Sequence, residues 1–101
     1  MVALWFQRHG WPRARSTPAS VPGKDVLEVP GLSVEVKATA ANQVVSALQQ
    51  ARDNAEPGDV PFAVWRRNGQ GEKAAEYLVA IRLDDFTALL TSAGLYDARG
   101  A

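Results

Sequence analysis

The stretch from Leu32 to Thr39, LSVEVKAT, constrains the fold of this chain more than any other. Leu32, Val34, Val36 and Ala38 alternate with Ser33, Glu35, Lys37 and Thr39. Only an extended strand turns this period of two into one apolar and one polar face. Pro30-Gly31, immediately before it, is a turn signal, and Asp25 to Val29 is expected to form the preceding strand. Glu35 and Lys37, two apart, leave the strand on one side while Val34 and Val36 enter the core. A hairpin through Pro30-Gly31 would bring Asp25 beside Glu35.

The remaining elements follow from local signals. Val2 to His9 (VALWFQRH) reads as a short helix stopped by Gly10 and Pro12, with His9 as a C-terminal cap. Trp11 to Ser16 reads as an edge strand because of Pro12, with Arg13 and Arg15 on one side. Ser16 to Gly23 is a Ser- and Pro-rich loop. Asn42 is expected to cap a helix running to about Asn54, whose apolar stripe is Val44, Val45, Leu48, Ala51 and Ala55. Val60 to Trp65 reads as a buried strand, Arg66 to Lys73 as a polar loop and Glu76 to Leu83 as another strand. Asp84 is expected to cap a last helix, with Phe86, Leu89 and Leu90 inward and Gly94 ending it. The tail, 95–101, is expected to fray. The order α-β-β-β-α-β-β-α, with the second helix as a crossover, predicts an α/β fold: one domain with a mixed central sheet flanked by helices.

Composition narrows the chemistry. A chain of 101 residues suits one domain. With no Cys and one His, thiolate sites, cysteine nucleophiles and polyhistidine metal sites are excluded, whereas a hard cation on carboxylates is not. No apolar run approaches a bilayer span and no signal-peptide pattern opens the chain, so a cytoplasmic location is expected. Net charge is zero, but its distribution is uneven: residues 1–24 carry Arg8, Arg13, Arg15 and Lys24 and no acid. A basic front is the form a phosphate-facing surface takes. Arg66 and Arg67 beside Trp65 could add phosphate contacts and a stacking ring. The competing reading is a core Trp with two solvated arginines. Trp5, Phe6 and Trp11 read as core or dimer contacts.

Asp25, Glu35 and Lys37 together suggest a reaction type. Two carboxylates can hold Mg²⁺ or Mn²⁺ through oxygen and leave positions open for water and a phosphate oxygen. Such a cation lowers the pKa of its water and stabilises developing charge, and a lysine can orient or deprotonate that water. Gly23-Lys24-Asp25 followed by Val29-Pro30-Gly31-Leu32-Ser33-Val34-Glu35-Val36-Lys37-Ala38 resembles the D…ExK signature of the PD-(D/E)xK nucleases. It is most similar to the short Holliday junction resolvase-like proteins of actinobacteria and their phages. The resemblance extends from His9-Gly10-Trp11 to the strand near Arg82. It implies a restriction-endonuclease-like fold and a Mg²⁺-dependent endonuclease acting on branched or double-stranded DNA in recombination or repair, as a homodimer. It implies Asp25 and Glu35 as metal ligands, Lys37 as the residue assisting water, and Gln50 on the following helix as a supporting residue, with Gln49 its neighbour. Arg13, Arg15, Lys24, Arg66 and Arg67 are the candidate DNA contacts. The family's longer first helix supplies one more acid, which residues 1–24 lack. That departure motivates an alternative, a catalytically silent DNA-binding or scaffold protein that keeps the fold.

Overall fold

The computed structural model describes residues 1–19, 21–38, 43–67, 71 and 73–94. In chain order they form α1 (Val2–Gln7), β1 (Arg15–Ser16), β2 (Val26–Leu27), β3 (Leu32–Lys37), α2 (Val44–Asp53), β4 (Val60–Trp65), a 3-10 turn (Ala74–Glu76), β5 (Leu78–Ala80) and α3 (Leu83–Ser92). The order is the one the sequence predicts, and the class is α/β. Among the described residues no helix is long and apolar enough to cross a membrane.

A three-stranded sheet in the order β3-β4-β5 is the frame, with β3 parallel and β5 antiparallel to β4. Parallel neighbours need a crossover, and α2 supplies it. Pro61 lies in the central strand, where its missing N–H would ordinarily break a ladder. β5 pairs only with Ala63 to Trp65, so nothing pairs with Pro61 on that side. β1 and β2 make a separate antiparallel pair, Arg15 opposite Leu27 and Ser16 opposite Val26.

Each face of the β3–β4 pair is covered by different material. Val34, Val36, Phe62 and Val64 meet Val2, Ala3, Ala14, Val26 and Val29, with Phe6 and Trp11 against them. Phe6 meets Trp11 edge-on at 5.5 Å between ring centres and Phe62 at 6.2 Å. The other face lies beneath α2, where Ala47 and Ala51 are fully buried. Small residues at the contact let the helix approach so closely that the Ser33 hydroxyl donates to the Ala51 carbonyl at 2.6 Å. The polar half of the alternating stretch is therefore an interior face: Ser33 and Glu35 are both buried.

Several expected boundaries shift. β1 begins at Arg15 rather than Trp11, because Trp11 and Ala14 are used in a turn, Ala14 N–H to Trp11 carbonyl at 3.0 Å. β2 keeps two residues and pairs with β1 rather than forming a regular hairpin with β3. β5 is shorter than Glu76 to Leu83, since Glu76 closes the 3-10 turn and Leu83 opens α3. Arg82 precedes that helix, and Asp84 lies in its first turn, accepting from the Asp85 N–H at 2.8 Å and pairing with Arg82. On α2 the stripe is Val44, Ala47, Leu48 and Ala51, while Val45 is 78% exposed and Ala55 lies beyond the helix end. On α3, Phe86 and Leu89 stay exposed and line an apolar groove with Trp5, Phe6 and Val79. Gly94 ends α3 at a φ of 74°. His9 caps α1 as expected, its Nδ1 2.7 Å from the Trp5 carbonyl oxygen. The expected N-cap Asn42, the end of the strand at Thr39 and the tail 95–101 lie outside the described residues.

Candidate functional site: an acidic strand edge beside a lysine

β3 is an edge strand, and its even-numbered residues turn their backbone groups away from β4. Asp25 occupies that edge. Its N–H donates to the Val34 carbonyl at 3.2 Å and its Oδ2 accepts from the Val36 N–H at 2.8 Å. The Asp25 carbonyl accepts from the Thr17 N–H at 2.9 Å, which ties the residue to the end of β1. Asp25 is thus held by three hydrogen bonds through backbone and side chain together. Such fixing is what a ligand or catalytic carboxylate requires, and it equally closes an open sheet edge.

The alternation between Asp25 and Glu35 is not shifted at the Pro30-Gly31 turn. Face alternation calls for an odd-numbered loop or bulge, because a strict two-residue turn would set Asp25 and Glu35 on opposite faces. The turn is in fact a two-residue one, closed by the Leu32 N–H to the Val29 carbonyl at 3.0 Å, with Gly31 at a φ of 85°. That positive φ suits the third position of a type II turn after Pro30. The irregularity lies one step earlier, at Glu28, which takes a φ of 61°. Asp25 escapes the alternation because its carboxylate occupies a ladder position in the plane of the sheet, on the Val36 N–H. From there its charge is near enough to Glu35 to raise the Glu35 pKa.

Glu35 points from β3 toward α2 and is 6% exposed. Burial raises its pKa from 4.5 to about 7, the Asp25 charge adds to the rise, and Lys37 opposes it. Lys37 Nζ stands 3.8 Å from Glu35 Oε1, too far for a tight ion pair. The arrangement is two carboxylates and one lysine with incomplete compensation, and added positive charge would relieve it. Asp25 and Glu35 are the residues that fit a divalent cation. Among the described residues no group of three or more Asp, Glu or His side chains is found.

The other candidates are distributed differently. Gln50 is exposed on α2, and no side-chain hydrogen bond of it is found among the described residues; Gln49 bonds Asp53 at 2.9 Å. Lys24 is committed elsewhere, its Nζ 2.5 Å from Asp59 Oδ2. Sequence reasoning missed Asp59. Its signal is Glu56-Pro57-Gly58-Asp59, a turn that closes when the Asp59 N–H meets the Glu56 carbonyl at 2.9 Å. Arg13 and Arg15 are exposed, as is Arg67, while Arg66 is half-buried. The Arg66 N–H donates to the Lys37 carbonyl at 2.9 Å, which sets Arg66 at the end of β4 next to the end of β3. Trp65 lies opposite Lys37 in the parallel register and is half-buried. Comparisons of the chain with protein-family models, with curated proteins and with solved structures found no match.

Proposed function

We propose that the protein is a metal-dependent endonuclease that hydrolyses DNA phosphodiester bonds, in the manner of the PD-(D/E)xK resolvase-like enzymes its signature resembles. The observation that carries this reading is the approach of the Asp25 and Glu35 carboxylates with Lys37 alongside, on a strand edge backed by a crossover helix. A buried pair of carboxylates is costly unless ionisation is compensated. Asp25 and Glu35 would hold Mg²⁺ or Mn²⁺, which supplies an acidified water and neutralises charge on the phosphate. Asp25 contributes a fixed oxygen, because the Val36 N–H and the Thr17 N–H hold the residue in place. Lys37, free to extend past Glu35, orients the attacking water or takes its proton. Branched DNA as substrate and a homodimer come from the resemblance, and with the expected cytoplasmic location they belong to this proposal.

The competing reading is a silent DNA-binding or scaffold protein, favoured by the 6% exposure of Glu35 and by the edge-closing role of Asp25. A labelled four-way junction and a linear duplex, incubated with Mg²⁺ or Mn²⁺, separate the two. Asp25→Asn is the decisive variant, since an amide oxygen can still accept from the Val36 N–H while the charge is lost. Cleavage by the parent chain that Asp25→Asn abolishes, with the fold retained, supports the nuclease. Binding with no cleavage under either metal would leave the silent reading standing, and equal cleavage by the two proteins would remove Asp25 from the site.

A further inference from the structure

On the opposite side of the strand edge from Glu35 lies a small cleft of about 290 Å³, and Asp25 forms part of its wall. Val36 and Ala38 of the β3 side, Arg66 beyond β4, Tyr77 and Ser16 of β1 line it with Asp25. The register accounts for this grouping. Val36 faces Val64 and Lys37 faces Trp65, so Ala38 and Arg66 come next on the same side of the sheet. Tyr77 precedes Leu78, which pairs with Trp65, and its hydroxyl is fixed on the Gly71 carbonyl at 2.9 Å, leaving the ring as wall.

Arg66 is the unusual member. The residue is half-buried, and none of the described carboxylates forms an ion pair with it. Lys24, Lys37 and Arg52, by contrast, each have an acidic neighbour: Asp59, Glu35 and Asp85 respectively. An arginine without a carboxylate partner, in a cleft with Ser16 and a small apolar floor, can donate to an oxyanion, and its planar fork suits phosphate. A cleft of this size lies at the lower limit of small-molecule sites. It admits one phosphate with its sugar, not a duplex. We propose that this cleft is a nucleotide-phosphate subsite flanking the nuclease site, on the far side of the Asp25 edge from Glu35, in which Arg66 holds a phosphate of a single nucleotide unit while Tyr77 and Val36 pack on the sugar.

The assignment rests on the nuclease reading only for the source of the phosphate, so its test does not use cleavage. Thymidine 5′-monophosphate is titrated, with and without Mg²⁺, into ¹⁵N-labelled protein, and amide shifts are followed in the parent chain, Arg66→Met, Arg66→Lys and Arg82→Met. Shifts should concentrate at Val36, Ala38 and Tyr77. Arg66→Met should weaken binding by at least roughly tenfold, the loss of one charge-assisted contact, with Arg66→Lys recovering part of it and the exposed Arg82→Met unchanged. Inorganic phosphate should shift the same amides more weakly, because it lacks the sugar. Should Arg66→Met fail to give a dispersed spectrum, the comparison of Arg66→Lys with the parent carries the test. Absence of shifts at the cleft, or equal affinity in the parent and the Arg66 variants, overturns the subsite even where junction cleavage is observed. Binding lost in Arg66→Met from a protein that cleaves no DNA keeps the subsite and removes the nuclease.

Discussion

The chain contains two lysine–carboxylate pairs built from the same chemistry and held in opposite electrostatic states. Lys24 and Asp59 join two loops at 2.5 Å; Lys37 and Glu35 share a strand at 3.8 Å. Their carboxylate side chains are about equally exposed, 10% for Asp59 and 8% for Glu35, but desolvation dominates at Glu35 and the lysine partner dominates at Asp59. The Lys24 hydrogen bond, helped by the Glu56 N–H, holds Asp59 below the ordinary carboxylate range. Glu35 loses its hydration beneath α2, faces Asp25, and rises to about 7. One pair is a satisfied loop clasp. The other keeps a carboxylate in a state that disfavours its charge, a pattern that accompanies functional sites more often than structural ones.

The largest expected effect is on catalysis. Lys37→Ala should lower Mg²⁺-dependent junction cleavage by at least about 100-fold, the scale of a positioned acid–base group. DNA binding and melting temperature should stay close to those of the parent, because Lys37 is half-exposed and its truncation leaves little cavity. Lys24→Ala, cutting the other pair, should reduce stability and leave the rate essentially unchanged. Initial rates on a labelled junction, beside thermal melts, measure both. A lysine exchange that spares cleavage at position 37 and abolishes it at position 24 would invert the comparison.

The next effect is on stability and has opposite signs at the two carboxylates. Below pH 4.5 Glu35 is protonated in the folded and unfolded chains alike, and its favourable neutral state is fully counted. As the pH rises from 4.5 to about 7 the unfolded chain ionises first, so folding stability falls, by up to about 3 kcal/mol once the pH passes 7. Asp59 behaves in reverse: its contribution is complete above its unfolded value of 3.8 and is lost as the pH falls further, through its depressed folded value. At pH 8 without metal, Glu35→Gln should therefore melt several degrees above the parent, while Asp59→Asn melts below it. Mg²⁺ should stabilise the parent and not Glu35→Gln. A Glu35→Gln protein less stable than the parent at pH 8 would make Glu35 a structural ion-pair partner like Asp59.

The sequence exposed unequal parts of this contrast. Elements whose pattern is strong and local were legible: β4 runs from Val60 to Trp65 as expected, and the alternation of β3 is intact. The nearness of Asp25, Glu35 and Lys37 was legible too, but not the route to it, since the Pro-Gly turn is a plain two-residue one and Asp25 reaches the edge through the Val36 N–H. What the alternation could not reveal is that its polar side is interior. Ser33 and Glu35 read as a solvated face until Ala47 and Ala51 bring α2 down on them, and no period in the sequence reports on such a neighbour. The commitment of Lys24 was hidden for the same reason, as Asp59 is 35 positions away. Short strands at Arg15–Ser16 and Leu78–Ala80 escaped precise bounds because their pairing partners, not their own residues, decide where they stop.

The smallest effect lies in the two turns that deliver the carboxylates. The loop carrying Asp59 gives its left-handed position to Gly58, at a φ of 88°, whereas the segment after Asp25 gives one to Glu28, at 61°. A residue with a Cβ in that region carries a penalty of about 1 kcal/mol that glycine does not. Glu28 is exposed on the rim of a surface cleft it shares with Arg13 and Trp11, so its side chain is not needed to fill the core. Glu28→Gly should therefore raise stability by up to about 1 kcal/mol, reduced somewhat by the greater freedom glycine gives the unfolded chain. Gly58→Ala should lower it by a similar amount. The Glu35 titration, followed by carboxyl carbon shifts, should remain near 7 in Glu28→Gly, because Asp25 is positioned by Thr17, Val34 and Val36 rather than by Glu28. A stability loss in Glu28→Gly accompanied by a Glu35 midpoint falling toward 4.5 would mean that the strained residue, and not the three hydrogen bonds, holds Asp25 against Glu35.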